Sequence, residues 1–204
     1  LKSFKNIARW LLPNGLIESR RRRLSLNRLG LPMTTEMEEA VGACCYDLWP
    51  SELKNAAKPW TLVDVGANEG EFSAAAARLV KLSGVHAFEP QPACREILEK
   101  IMARVPGSQL HPAAVGESAG ELELHCTTNS RMASLLAPTA SIGDAYGSGN
   151  FEVTQRLKVP IVTLDDSLPE ELKIGLLKID VQGYELPVLR GAQRILQSTK
   201  AVLM

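Results

Sequence analysis

The sequence predicts an open α/β fold: a doubly wound, mostly parallel sheet with an N-terminal helical extension. Three observations predict it. From about residue 59 onward, short buried apolar runs alternate with helical stretches. A glycine-flanked acidic loop follows the first of those runs. The chain is 204 residues long with 45% apolar and 23% charged residues, which fits one packed domain plus an appendage. This composition excludes a disordered chain, a collagen and a disulfide-stapled miniprotein. No uninterrupted apolar stretch approaches the ~18 residues that a bilayer crossing needs.

Residues 1–58 read as a basic helical extension and residues 59–204 as the domain. Phe4, Ile7, Leu11 and Leu12 recur at helical spacing, with Lys2, Lys5 and Arg9 off that stripe. Pro13 to Gly15 break the pattern, and Leu16 to Leu29 resume it around the run Arg20 to Arg23. Residues 1–30 carry net +7, so the overall zero leaves −7 on the rest. A basic head of this kind can lie on an anionic membrane as a peripheral contact at its inner face. It can equally pack on the acidic body through Ile7, Leu11 and Leu12. No nucleic-acid partner is expected. Nor is a secretory signal, because no small-residue cleavage site follows a continuous apolar segment. The chain begins without methionine, so upstream residues are expected.

In the body, Thr61 to Gly66 reads as a buried strand and Phe72 to Leu82 as an alanine-rich helix. Val85 to Glu89 is a second strand, stopped by Pro90. Pro92 to Val105 is a second helix and Leu110 to Val115 a third strand. Strands alternating with helices imply parallel pairing through right-handed crossovers. Glu121 to Cys126 alternates polar and apolar, as a half-exposed antiparallel strand does. Thr127 to Asn150 reads as a mobile loop rich in Ser, Gly, Ala and Thr. Val153 to Leu164 and Leu176 to Val181 are strands, and Leu186 to Gln197 is a helix. Ala201 to Met204 opens a further strand inside which the chain stops, so the last strands of the sheet are expected to be missing.

Four cysteines, two of them adjacent (Cys44 and Cys45), make no disulfide framework and lack zinc-site spacing. They read as reduced thiols in a cytoplasmic protein, and no metal site is expected.

The loop Asp64-Val65-Gly66-Ala67-Asn68-Glu69-Gly70 runs from the first strand directly into a helix. Glu89 ends the second strand, 23 residues after Gly66, where an acid can take both hydroxyls of a ribose. The pattern points to a nucleoside-bearing cofactor, with an ordinary tight turn as the alternative. A dinucleotide loop needs G-x-G-x-x-G, and Asn68 stands where its second glycine should be. Asn68 and Glu69 suit a cofactor with no phosphate and a positive sulfonium, whose cationic amino-acid end Asp64 would favour. An NAD(P)-dependent oxidoreductase and a non-catalytic nucleotide-binding or membrane-docking module are the competing readings.

Several blocks together resemble the FkbM family of S-adenosylmethionine-dependent methyltransferases. They are the loop through Glu71-Phe72-Ser73, then Phe88-Glu89-Pro90, Val162-Thr163-Leu164-Asp165-Asp166, and Leu177-Lys178-Ile179-Asp180-Val181-Gln182-Gly183-Tyr184-Glu185. Val188-Leu189-Arg190-Gly191-Ala192 follows. The resemblance implies a Rossmann-like sheet of the class I methyltransferase type, with seven strands and the last antiparallel. It also implies O-methylation, often of sugars or polyketides. The head, with Leu12-Pro13-Asn14-Gly15, is similar to members associated with bacterial surface polysaccharide. By the same resemblance, Gly66, Asn68 and Gly70 cradle the methionine part of S-adenosyl-L-methionine and Asp64 orients the loop or the cofactor's amino group. Glu89 takes the ribose, and Ala113 with Ala114 flanks adenine. Ala67, Glu69 and Pro90 complete the set.

On the acceptor side, Asp180 at the carboxyl end of a buried strand is the first candidate for a general base. Lys178 shares its face of the strand, so an Asp–Lys pair is expected. Glu185 could hold a hydroxyl or a divalent ion. The structural alternative makes Asp180 a helix N-cap and Glu185 a first-turn acid. His111 and His125 read as structural hydrogen-bonders. Ser134, in Arg131-Met132-Ala133-Ser134-Leu135, and Tyr184 are expected to line the acceptor pocket. Asp165 and Asp166 read as a turn and helix cap. The acceptor would be a small molecule or glycan.

Overall fold

The computed structural model describes residues 49–127, 133–135 and 153–204. Its elements run α1 (Ser51–Lys54), β1 (Trp60–Val65), α2 (Glu71–Leu79), β2 (Leu82–Phe88), a 3-10 turn (Pro92–Cys94), α3 (Arg95–Met102) and β3 (Gln109–His111). There follow β4 (Ala114–Val115), β5 (Gly120–Thr127), β6 (Val153–Val162), α4 (Leu164–Ser167) and β7 (Ile174–Ile179). The last are α5 (Glu185–Arg190), α6 (Gln193–Ser198) and β8 (Thr199–Leu203).

Five strands form one sheet in the order β3-β2-β1-β7-β8, and every pairing in it is parallel. The chain winds outward from β1 to β3, then returns to the other side of β1. The strand order therefore reverses between β1 and β7, which is where open α/β sheets bind ligands. β1 and β7 are buried along their whole length, as central strands covered on both faces must be. β1 sends Leu62 into a core shared with Ala74, Ala75, Leu98 and Ile101 of α2 and α3. It sends Val63 and Val65 into a second core with Leu164, Val188 and Ile195 of α4 to α6. Helices thus cover both faces, and the fold is the doubly wound Rossmann-like sheet that the alternation predicts. Trp49 and Leu53, within the stretch read as extension, are buried in the first core, where Trp60 Nε1 donates to Leu53 O at 3.1 Å.

A smaller sheet in the order β4-β6-β5 packs alongside, with β5 antiparallel to β6 as its alternating pattern predicts. The expected third strand, Leu110 to Val115, is in fact two. Pro112 has no N–H for a ladder, and Ala113 N folds back on His111 O at 2.8 Å, so β3 stays in the large sheet while β4 joins the small one. The expected helix Leu186 to Gln197 is also two. It breaks at Gly191, where a Cβ would sit 2.0 Å from Gly116 O. β6 stops at Val162 because Thr163 caps α4, accepting from Asp166 N at 3.0 Å and donating to Asp166 Oδ2 at 2.7 Å. The final antiparallel strand implied by the resemblance is not among the described strands. The basic head and most of the Thr127 to Asn150 loop lie outside the described residues.

Candidate functional site

The carboxyl ends of β1, β2 and β7 bring most of the expected residues together. Gly66, Asn68 and Gly70 all have positive φ, at 74°, 50° and 78°. Gly66 N and Ala67 N both donate to Phe88 O, at 3.0 and 3.1 Å, and Gly70 N donates to Ala67 O at 2.8 Å. Asn68 N donates to Glu89 Oε2 at 2.8 Å, and Gln91 N donates to Glu89 Oε1 at 2.9 Å. The Cβ direction of both glycines is filled by the protein itself. A Cβ on Gly66 would lie 2.0 Å from the backbone oxygen of Asp180, and one on Gly70 would lie 2.9 Å from Leu98 Cδ2. Their missing side chains serve close packing of the protein on itself. Ala67 is likewise turned into the core.

Glu89 is 5% exposed. Burial pushes its carboxyl up, while the N–H bonds from Gln91 and Asn68 and the charge of Lys178 act against that rise. Each of its oxygens accepts one backbone bond, and the Gln91 side chain bonds the carboxylate as well. Ala114 packs in the small sheet's core with Leu124 and Ile161, and Ala113 sits at the crossing between the sheets, so the strand expected to carry both beside adenine is divided. Glu69 and Pro90 are partly exposed beside this group.

Asp64 is fully buried and stands directly opposite Lys178 in the β1–β7 register. Ser73 Oγ donates to Asp64 Oδ2 at 2.6 Å. Lys178 Nζ lies 3.0 Å from Asp64 Oδ1, an ion pair set off the hydrogen-bonding direction. The ammonium donates to Gly66 O at 2.6 Å and to Val65 O at 3.4 Å, and it lies 5.9 Å from the centre of the Phe72 ring. The expected Asp180–Lys178 pair is present as the longer of two ion pairs, with Lys178 Nζ 3.9 Å from Asp180 Oδ2 and 3.0 Å from Asp64 Oδ1.

Asp180 N donates to Val65 O at 3.0 Å, and Gln182 Nε2 donates to Asp180 Oδ1 at 3.0 Å. The Asp180 side chain keeps 43% of its surface open. Partial burial raises its pKa; Lys178 opposes that, and Asp64 and Glu185 add to it. Asp180 does not cap the following helix, whose N-cap is Tyr184 without a side-chain bond. Glu185 does act locally. Its Oε1 accepts from Val181 N at 3.3 Å and Gly183 N at 3.0 Å, tying the turn formed by Gln182 (φ 54°) and Gly183 (φ 101°). Glu185 is thus a first-turn acid, as the structural alternative has it, with one oxygen supporting the loop. Ser134 joins the site, its Oγ donating to Gln182 O at 2.9 Å. Tyr184 turns away toward the small sheet and lines a cleft of about 260 Å³ with Glu117, Ser118, Glu121, Leu122 and Ile161.

His111 is structural, as expected. Its ring stacks on Phe88 at 4.2 Å and its Nε2 lies 3.1 Å from His86 Nδ1; burial, then His86, lowers its pKa to about 4. His125 pairs through its backbone with Ser134. Asp165 accepts from Arg194 N and Ile195 N at the start of α6, and Asp166 completes the α4 cap. Cys94 and Cys126 are free and buried, and burial holds the Cys94 thiol at about 12. Among the described residues, no group of three or more His, Cys, Asp or Glu is placed to hold a metal ion. Among them, too, no helix is long and apolar enough to cross a membrane. Ser73 and Gln182 were not singled out for roles from sequence. The signal for Ser73 is its place on α2, within a turn of Gly70; for Gln182 it is the glycine that follows, a turn mark after a buried strand.

Fold and site together define an open Rossmann-like α/β protein whose ionisable groups gather at the switch point. The family model described as the methyltransferase FkbM domain matches residues 64–204, and the chain belongs to that family. It is 29% identical over 170 residues to methyltransferase sdnD of Sordaria araneosa, covering 72% of this chain and 64% of that protein. It is 28% identical over 159 residues to methyltransferase 1 of Beauveria bassiana (strain ARSEF 2860), covering 72% of this chain and 62% of that protein. The chain thus spans less than two thirds of the length of either relative. A crystal structure of methyltransferase FkbM from Methylobacillus flagellatus KT superposes with a TM-score of 0.43 at 16% identity, covering 87% of this chain and 46% of that one.

Proposed function

We propose that the chain carries an S-adenosyl-L-methionine-dependent O-methyltransferase site acting on a hydroxyl of a sugar, glycan or related natural product. The observation that carries this reading is that four backbone donors of the loop are already engaged. The N–H groups of Gly66, Ala67, Asn68 and Gly70 all bond within the protein. A pyrophosphate needs such groups free. What the switch point offers instead is carboxylate: Glu89 and Asp180 lie near the ammonium of Lys178, whose charge the fully buried Asp64 balances. That donor set fits a cationic ligand with hydroxyls and no phosphate.

When bound, S-adenosyl-L-methionine supplies a methyl group on a positively charged sulfur. The Glu89 carboxylate would accept from the ribose hydroxyls, and Asn68, pinned to it, would close the edge of the loop. Asp180, open on one side and oriented by Gln182, would take the acceptor hydroxyl's proton. Alignment of this kind is worth up to about 7–11 kcal/mol. The test is calorimetry and thermal unfolding with S-adenosylmethionine, S-adenosylhomocysteine and NAD(H). A ligand at 100 times its Kd stabilises the fold by about 2.7 kcal/mol. Protection by NAD(H) and by neither sulfur nucleoside overturns the reading. A screen of hydroxylated acceptors with labelled methyl donor then identifies the product by mass.

A further inference from the structure

We propose that Lys178 is a positioning residue that locks the donor loop and the acceptor-side carboxylate into one unit. The inference rests on the proposed methyltransferase reading and goes beyond it.

Lys178 is 7% exposed in a fully buried central strand, a position where a cation persists only when paired. Its ammonium converges on the carbonyls of Gly66 and Val65 and on Asp64 Oδ1, at 2.6, 3.4 and 3.0 Å. Those groups are the end of β1 and the first residue of the left-handed turn. The same ammonium lies 3.9 Å from Asp180 Oδ2. The backbone oxygen of Asp180, in turn, fills the space where Gly66 lacks a Cβ. Moving the lysine therefore releases Gly66 and unbalances Asp180 together. The charged groups that bear on Asp180 are Lys178 on its own strand, Asp64 on β1 and Glu185 on α5. Lysine is the cation this geometry needs. A compact ammonium can meet two carbonyls and a carboxylate at once, whereas a planar guanidinium on a longer stem presents a fixed fork.

The experiment uses the full chain with Lys178→Met and Lys178→Arg, S-adenosylhomocysteine as the calorimetric probe, and carbon-detected NMR titration of the Asp180 carboxyl. Both variants should bind the probe at least ten-fold more weakly than the wild type. The Asp180 titration should move up in Lys178→Met and return to its wild-type position in Lys178→Arg, a split that a purely structural lysine would not produce. Probe affinity within two-fold of wild type in both folded variants, or an unmoved Asp180 in Lys178→Met, overturns the proposal. If Lys178→Met does not fold, the arginine variant decides through its affinity alone. A wild-type chain that fails to bind the probe would instead overturn the methyltransferase reading, so the two failures are distinguishable.

Discussion

Asn68 and Glu89, 21 residues apart in the chain, are joined by a 2.8 Å hydrogen bond from the Asn68 backbone N–H to the Glu89 carboxylate. The bond holds a non-glycine residue at φ 50° and fixes the acid that ends β2 against the loop that follows β1. Glu89→Ala should therefore weaken S-adenosylhomocysteine binding by at least ten-fold in calorimetry and loosen the loop. Glu89→Gln, which keeps one acceptor oxygen, should lose less.

Asp180→Asn preserves the backbone bond to Val65 and the shape of the turn while removing the basic oxygen. Methyl transfer should fall by about a hundred-fold or more, with probe affinity changed by less than about two-fold. Near-normal turnover under saturating donor would return Asp180 to a scaffold role.

Gly66→Ala should be among the most damaging single substitutions. It places a Cβ 2.0 Å from a main-chain oxygen at φ +74°, and neither neighbour is a flexible side chain. The loss should be about 3 kcal/mol or more, read from the urea midpoint.

His111 supplies an acid sensitivity. Its folded pKa of about 4 lies below its ordinary 6.5, so protonation favours the unfolded chain. Its contribution is complete above pH 6.5 and is lost as pH falls toward 4. His86, also lowered by burial, acts in the same direction. His111→Phe keeps a ring on Phe88 and should flatten the pH dependence of the thermal midpoint across that window. An unchanged slope would assign the effect elsewhere.

Thr163→Ala removes the side chain that accepts from Asp166 N at the start of α4. It should cost about 1 kcal/mol, a fall of about 2–4 °C in Tm for a chain of this size.

The large sheet was legible because β1, β2 and β7 are short apolar runs, and burial on both faces requires such runs. The β5 alternation predicts the antiparallel pairing that forms, but its burial divides by halves, exposed from Gly120 to Glu123 and buried from Leu124 to Thr127. Pro112 was visible but was read through, because a strand on either side looks continuous until each half's partner is known. The site was legible where its residues are local, as at the Gly66 to Gly70 turn and Glu89. It was incomplete where partners are distant. Lys178 and the Gly66 carbonyl are 112 residues apart, and strand register, not spacing, brings them together. Spacing leaves Glu185 open between chemistry and a first-turn acid, because only the folded turn shows its carboxylate closing on Gly183.

Because the Asp180 carbonyl occupies the hollow that Gly66 leaves, the two ends of the crevice cannot be redesigned independently. Grafting a dinucleotide-type glycine loop into this scaffold to exchange its coenzyme would also displace the residue placed to receive a proton. Such an exchange would need both segments rebuilt together, which makes this pair a natural unit for inheritance as well as for engineering.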